Sequence, residues 1–136
     1  MKVTATALPE VLTAGGYRTL FSGKWHLGLT PEREPAARGF EHSFALLQGL
    51  SNHFGADQDA AWSKAGLAPS YRDDGKPALL PSGHYSADYF ADRLIGYLDA
   101  LECLPRSIGS QVAVLFAGRV DPALRERIRS EERRVG

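Results

Sequence analysis

The chain has 136 residues, sixteen Lys and Arg against sixteen Asp and Glu, with 43% apolar and 24% charged residues. That length and composition suit one globular domain and argue against wholesale disorder. A formal net charge of zero gives no basis for nucleic acid or an anionic membrane as a partner, no run reaches the apolar length of a membrane span, and the lone Cys103 excludes an internal disulfide framework.

Leu8, Val11 and Leu12 fall at helical spacing, with Pro9 tolerated in a first turn, and Gly15-Gly16 supply a stop. A short helix over 8–14 is therefore predicted. Tyr17 to Ser22 follows at once as a β-branched and aromatic run suited to a largely buried strand. Helix then strand is the opening of an α/β protein. Gly23 lets the backbone turn where that strand stops, so Lys24 and His26 reach the turn beyond it. Open α/β sheets build their sites at the carboxyl ends of strands. A Lys and a His two residues apart on one extended backbone can converge on a small anion, and a solvated strand end with His26 packed on Trp25 explains the same spacing.

Thr30 to Arg38 reads as a polar, proline-bearing loop, and Gly39 to Leu47 as a second strand. From Gly49 to Pro81 there is little periodicity and much Gly, Asp, Ser and Pro, the pattern of a long loop. Within it, Asn52 and His53 are candidates to line a substrate mouth or to sit in a solvated loop. Asp73-Asp74-Gly75 reads as a plain turn rather than a calcium loop. The separations of His42, His53 and His84 match no compact metal motif, so no metal ligand is assigned. His84 to Leu101 is the best helix, with Ser86 as N-cap and Phe90, Leu94, Tyr97, Leu98 and Leu101 along one stripe. Gln111 to Phe116 suits a buried strand, Pro122 to Ile128 a helix start, and Arg129 to Gly136 is charged with no apolar face.

At residues 16–26 the run Gly16, Tyr17, Thr19, Ser22, Gly23, Lys24, Trp25, His26 resembles the second signature of the type I sulfatases, filling every constrained position. The flanks resemble the same family: Leu8-Pro9-Glu10-Val11-Leu12, Arg38-Gly39-Phe40-Glu41, Ser51-Asn52-His53-Phe54-Gly55, and His84-Tyr85-Ser86 with Asp88, Phe90 and Asp92. The resemblance covers about residues 8–100. It implies an α/β fold, part of an α/β/α sandwich related to alkaline phosphatase and incomplete as given. It implies a sulfuric ester hydrolase that uses a formylglycine made from Cys or Ser beside a calcium ion. Lys24 would lie against the sulfate oxygens and the formylglycine hydroxyl, and His26 would hydrogen-bond that hydroxyl. The substrate would be a small-molecule sulfate ester.

Several parts that the resemblance calls for have no counterpart here. No Cys or Ser-x-Pro-x-Arg string occurs, Cys103-Leu104-Pro105-Arg106 having the wrong spacing, and no His-Trp-Pro segment follows the long helix. The family's calcium carboxylates are also unmatched. Losing one anion-stabilising donor costs about 10²–10³ in rate, and losing a nucleophile unit about 10⁶, so the chain alone is expected to be inactive. Residues 1–101 are taken as a piece of a sulfatase catalytic domain, 102–128 as a frameshifted or chimeric join, and 129–136 as a sequencing-adapter translation. The residues after Met1 lack the apolar core of a secretion signal, and the compartment of the parent enzyme, cytoplasm or periplasm, is left unassigned. Two alternatives stay open: a non-catalytic anion-binding remnant, and a piece of a related phosphoesterase or phosphonate hydrolase. A sheet without its neighbours is expected to be marginal and to leave the apolar face of the 86–101 helix exposed.

Overall fold

Tyr17–Lys24 forms β1, an interior strand of a mixed sheet completed by β2 (His42–Leu46), β3 (Tyr71–Asp73), β4 (Lys76–Ala78) and β5 (Gln111–Val114). The strand order is β4-β3-β2-β1-β5. The computed structural model describes residues 5–54, 59–65, 68–102 and 111–114. β1 pairs in parallel with β2, Leu20 facing His42 and Lys24 facing Leu46, and in parallel with β5, Tyr17 facing Gln111. β3 and β4 add an antiparallel hairpin beside β2.

Alternation along β1 sends side chains to two differently covered faces. Leu20 packs with Leu94, Leu98 and Leu101 of the long helix α3 (Ser86–Glu102). Next to it, Phe44 of β2 meets Tyr89 and Phe90. On the opposite face Phe21 packs with Phe40, Ala45, Leu47 and Trp25, the Phe21 and Trp25 rings meeting edge-on at 5.4 Å. The short helix α1 (Leu8–Ala14) lies on that second face. Its Thr13 hydroxyl and the buried Thr19 hydroxyl both donate to the Gly39 carbonyl, at 2.9 and 2.6 Å. Helices thus cover both faces of the sheet, the α/β sandwich that the sequence calls for. Gly39 sits at φ 90°, and a Cβ there would come within 2.5 Å of the Glu10 backbone, so the seam between α1 and the sheet needs glycine.

The structure departs from sequence expectation in places with clear causes. β1 runs on through Gly23 to Lys24 instead of turning at Gly23, because the ladder to β2 continues through Ala45 and Leu46. The polar loop of 30–38 holds two 3-10 turns, Pro31–Arg33 and Pro35–Arg38. The long 49–81 segment contains a helix, α2 (Asp59–Lys64), and the β3–β4 hairpin, whose turn is Asp74-Gly75. The apolar face of α3 is covered rather than exposed: Leu94 and Leu98 are buried against the sheet. β5 falls within the predicted 111–116 strand. The 122–128 helix, Cys103 and the 129–136 tail lie outside the described residues.

Candidate functional site

β1 and β2 are parallel, so their carboxyl ends share one edge of the sheet. Helix α3 starts at the Ser86–His53 link and carries Tyr97 back to His42 at the amino end of β2, which leaves its first turn towards the carboxyl edge. Lys24 is the last residue of β1 and is half-buried. Alternation from Leu20 places it on the face that α3 covers. Among the described residues, no carboxylate or hydrogen-bond acceptor meets its ammonium. A half-desolvated cation without a counter-charge is a place for an anion.

His26 reaches the edge by a different route. The Trp25 amide donates to the Leu46 carbonyl at 2.8 Å and the His26 amide to the Leu47 carbonyl at 3.1 Å, so β2 guides the chain past the end of β1. His26 itself is left-handed, at φ 55°, a conformation that costs a non-glycine residue about 1–2 kcal/mol. The extended backbone that would align Lys24 and His26 by simple alternation is therefore absent; a turn joins them. Nor does the imidazole pack on Trp25. The Trp25 ring is taken up by Phe21 and Phe40, and its Nε1 donates to the Arg33 carbonyl at 2.7 Å. The exposed His26 ring instead abuts Gly49.

The segment after β2 walls the edge. The Leu47 amide donates to the Ser70 carbonyl at 2.9 Å. The Gln48 side chain closes on the same strand entry, accepting from the Ser70 amide at 2.8 Å and donating to the Ala68 carbonyl at 2.6 Å. Asn52 is buried, and its side-chain oxygen accepts from the Phe54 amide at 2.8 Å, a local turn. His53 is half-buried and meets the Ser86 hydroxyl through Nδ1 at 2.7 Å, while the Ser86 amide donates to the His53 carbonyl at 2.8 Å. Ser86, predicted as a side-chain cap of α3, thus has its hydroxyl on His53. Asn52 and His53 stand at the same edge as Lys24, and His53 ties the loop to the start of α3.

The remaining histidines and acids lie elsewhere. His42, at the amino end of β2, approaches Asp74 at 3.1 Å and stacks on Tyr97 at 5.3 Å. Asp73 pairs with Arg93, which also donates to the Tyr97 hydroxyl at 3.0 Å. Burial pushes the Tyr97 phenol up to about 12, against the pull of Arg93. His84 meets the Ser82 carbonyl and the Tyr89 ring. Among the described residues, no three His, Cys, Asp or Glu side chains come together as a metal site. None of the described helices is long and apolar enough to cross a membrane.

The sequence names Lys24, His26, Asn52 and His53 as candidates, whereas the Gly49–His26 contact and the His53–Ser86 link appear only in the fold. Both depend on contacts across more than twenty residues of chain, which spacing does not record.

No protein-family model matches the chain. An uncharacterized sulfatase of Schizosaccharomyces pombe is 48% identical over 96 residues, covering 68% of this chain and 17% of that protein. An arylsulfatase of Klebsiella aerogenes is 35% identical over 95 residues, covering 70% of this chain and 20% of that protein. Among solved structures, that of Ps i-CgsB superposes with a TM-score of 0.61 at 25% identity, over 72% of this chain and 23% of that one. The chain spans about a fifth of the length of these relatives. The sandwich with its site edge at the ends of β1 and β2, together with these likenesses, places the chain in the sulfatase family, as a piece with the alkaline-phosphatase-like fold.

Proposed function

We propose that this chain carries the sulfate-binding segment of an arylsulfatase-like sulfuric ester hydrolase, and that by itself it holds the sulfate group without cleaving the ester. The observation that supports this most is Lys24: a half-buried ammonium at the carboxyl edge, with no counter-charge among the described residues. In ester cleavage, negative charge grows on the nonbridging oxygens of sulfate and on the leaving oxygen. A fixed ammonium against those oxygens stabilises the transition state more than the ground state. The exposed His26 imidazole, two residues on, can donate or accept a hydrogen bond to the bound group. Asn52 and His53 would border the organic part of the ester.

The family resemblance implies a formylglycine nucleophile and a calcium ion. The chain contains no Cys or Ser-x-Pro-x-Arg string, and its described residues form no metal-ligand cluster. The residues present therefore fit neither group, and no step is assigned through them. The loss of a nucleophile unit alone removes about 10⁶ in rate, which is why the chain is expected to bind and not to turn over.

Titrating the 136-residue chain with inorganic sulfate, while following the Lys24 side-chain and His26 ring signals by NMR, tests the proposal. The expected result is saturable movement of both signals, abolished in Lys24→Met, with no hydrolysis of 4-nitrophenyl sulfate. Sulfate binding that survives Lys24→Met unchanged would overturn it.

A further inference from the structure

Gly49 has no conformational need to be glycine: its φ lies outside the left-handed region, unlike those of Gly16, Gly39 or Gly75. What it meets is the His26 ring. A Cβ built on Gly49 would fall 2.6 Å from Nδ1, 2.7 Å from Cε1 and 2.8 Å from Cγ, all three nearest atoms belonging to that one imidazole.

We infer that Gly49 is the seat of the His26 imidazole, a positioning residue that fixes where the ring stands at the site edge. The inference rests on the proposal that His26 serves the sulfate site, and deepens it. Two observations decide which side yields when the seat is filled. The backbone around Gly49 is held from both directions. Upstream, Leu47 and Gln48 are bonded to Ser70 and Ala68; downstream, Ser51 and Asn52 are buried and His53 is tied to Ser86. The His26 side chain, by contrast, is exposed and makes no side-chain hydrogen bond among the described residues. A methyl group at 49 therefore displaces the ring and leaves the loop in place.

Ordinary carbon contact begins near 3.4 Å, so the ring must retreat by about 0.8 Å (3.4 minus 2.6). A hydrogen bond to an anion does not survive such a shift at full strength, and misplacements near 1 Å cost catalytic sites about 10²-fold. The glycine thus sets a function-bearing distance without being required by the fold.

The test is Gly49→Ala in the full chain, with Gly96→Ala as control, since Gly96 has open space around its Cβ position. The His26 Hε1–Cε1 NMR signal is followed with and without inorganic sulfate, and thermal melting is followed by circular dichroism. The expected result is a moved His26 signal in Gly49→Ala, an unchanged melting curve, and a sulfate Kd weakened by about tenfold, the loss of one charge-assisted hydrogen bond; Gly96→Ala leaves the His26 signal and the Kd unchanged. An unmoved His26 signal in Gly49→Ala would overturn the seat, whatever sulfate does. A moved signal with an unchanged sulfate affinity would overturn the seat's part in sulfate binding. A wild-type chain whose His26 ignores sulfate overturns the sulfate reading instead, and the ring shift still decides the seat.

Discussion

Replacing Arg72 by Met isolates the contribution of one buried charge to this fold. The Glu34 carboxylate is 4% exposed and takes the Arg72 Nε–H at 2.8 Å, while the Arg72 side chain is 24% exposed. Arg72 also donates from Nη1 to the Tyr71 carbonyl at 2.9 Å. The pair ties β3 to the 3-10 turns, one residue from the Arg33 carbonyl that receives the Trp25 indole. Removing one member of a fully buried pair costs about 3–5 kcal/mol, most of it from the charge left unpaired. Water reaches Arg72 from one side, so the loss here is discounted to about 2–4 kcal/mol. With a urea m-value of about 2 kcal/mol/M, the middle of the usual range, the unfolding midpoint falls by roughly 1–2 M. Tryptophan fluorescence reads the transition.

A second variant separates charge from packing. If the unpaired carboxylate is what costs, Glu34→Gln in the Arg72→Met background recovers stability, because an amide is cheaper to bury than an uncompensated charge. If lost packing is what costs, Glu34→Gln adds its own penalty. An Arg72→Met protein within about 0.5 kcal/mol of wild type, the range of ordinary surface changes, or a double variant weaker than the single one, would refute the reasoning.

Leu98 of α3, fully buried against Leu20, should cost about 2–5 kcal/mol as Leu98→Ala, read from the same urea transitions. Thr19→Val keeps the volume but removes the donor to Gly39; the Thr13 hydroxyl still serves that carbonyl, so a loss of only about 1 kcal/mol is expected. Tyr97, whose phenol burial pushes up to about 12, holds its proton more tightly folded than unfolded. Its contribution is complete below the ordinary tyrosine value near 10 and is lost as pH rises from there towards 12. Tyr97→Phe should flatten the alkaline fall in melting temperature over that interval, and an unchanged alkaline profile would exclude this origin.

The parts of the fold that could be inferred from the residues are those with local causes. Leu8, Val11 and Leu12 ahead of Gly15-Gly16 delimit α1, and the Leu94–Leu98–Leu101 spacing announces the buried face of α3. β3 and β4 escaped because three residues each are too few to display alternation, and Pro77 hides the second strand. Asp74-Gly75 is a hairpin signal, yet its flanks carry Arg72 and Lys76 rather than an apolar alternation. Lys24 and His26 stand out through their place in a signature, whereas the contact of Gly49 with the His26 ring and of His53 with Ser86 exists only once the chain has folded. The apolar stripe of α3 is covered where the sequence predicts exposure, because Leu20 of β1 meets Leu94 and Leu98 and Phe44 of β2 meets Phe90.

The central claim is that Lys24 is a sulfate-site ammonium, and a graft tests it most directly. Residues 8–101 would replace the matching segment of the Klebsiella aerogenes arylsulfatase, whose alignment with this chain covers 70% of it, and hydrolysis of 4-nitrophenyl sulfate would be measured with and without Lys24→Ala. The account predicts an active graft whose kcat/KM falls by at least about 10² on loss of Lys24, the usual cost of one anion-stabilising donor. An active graft indifferent to Lys24→Ala would contradict it.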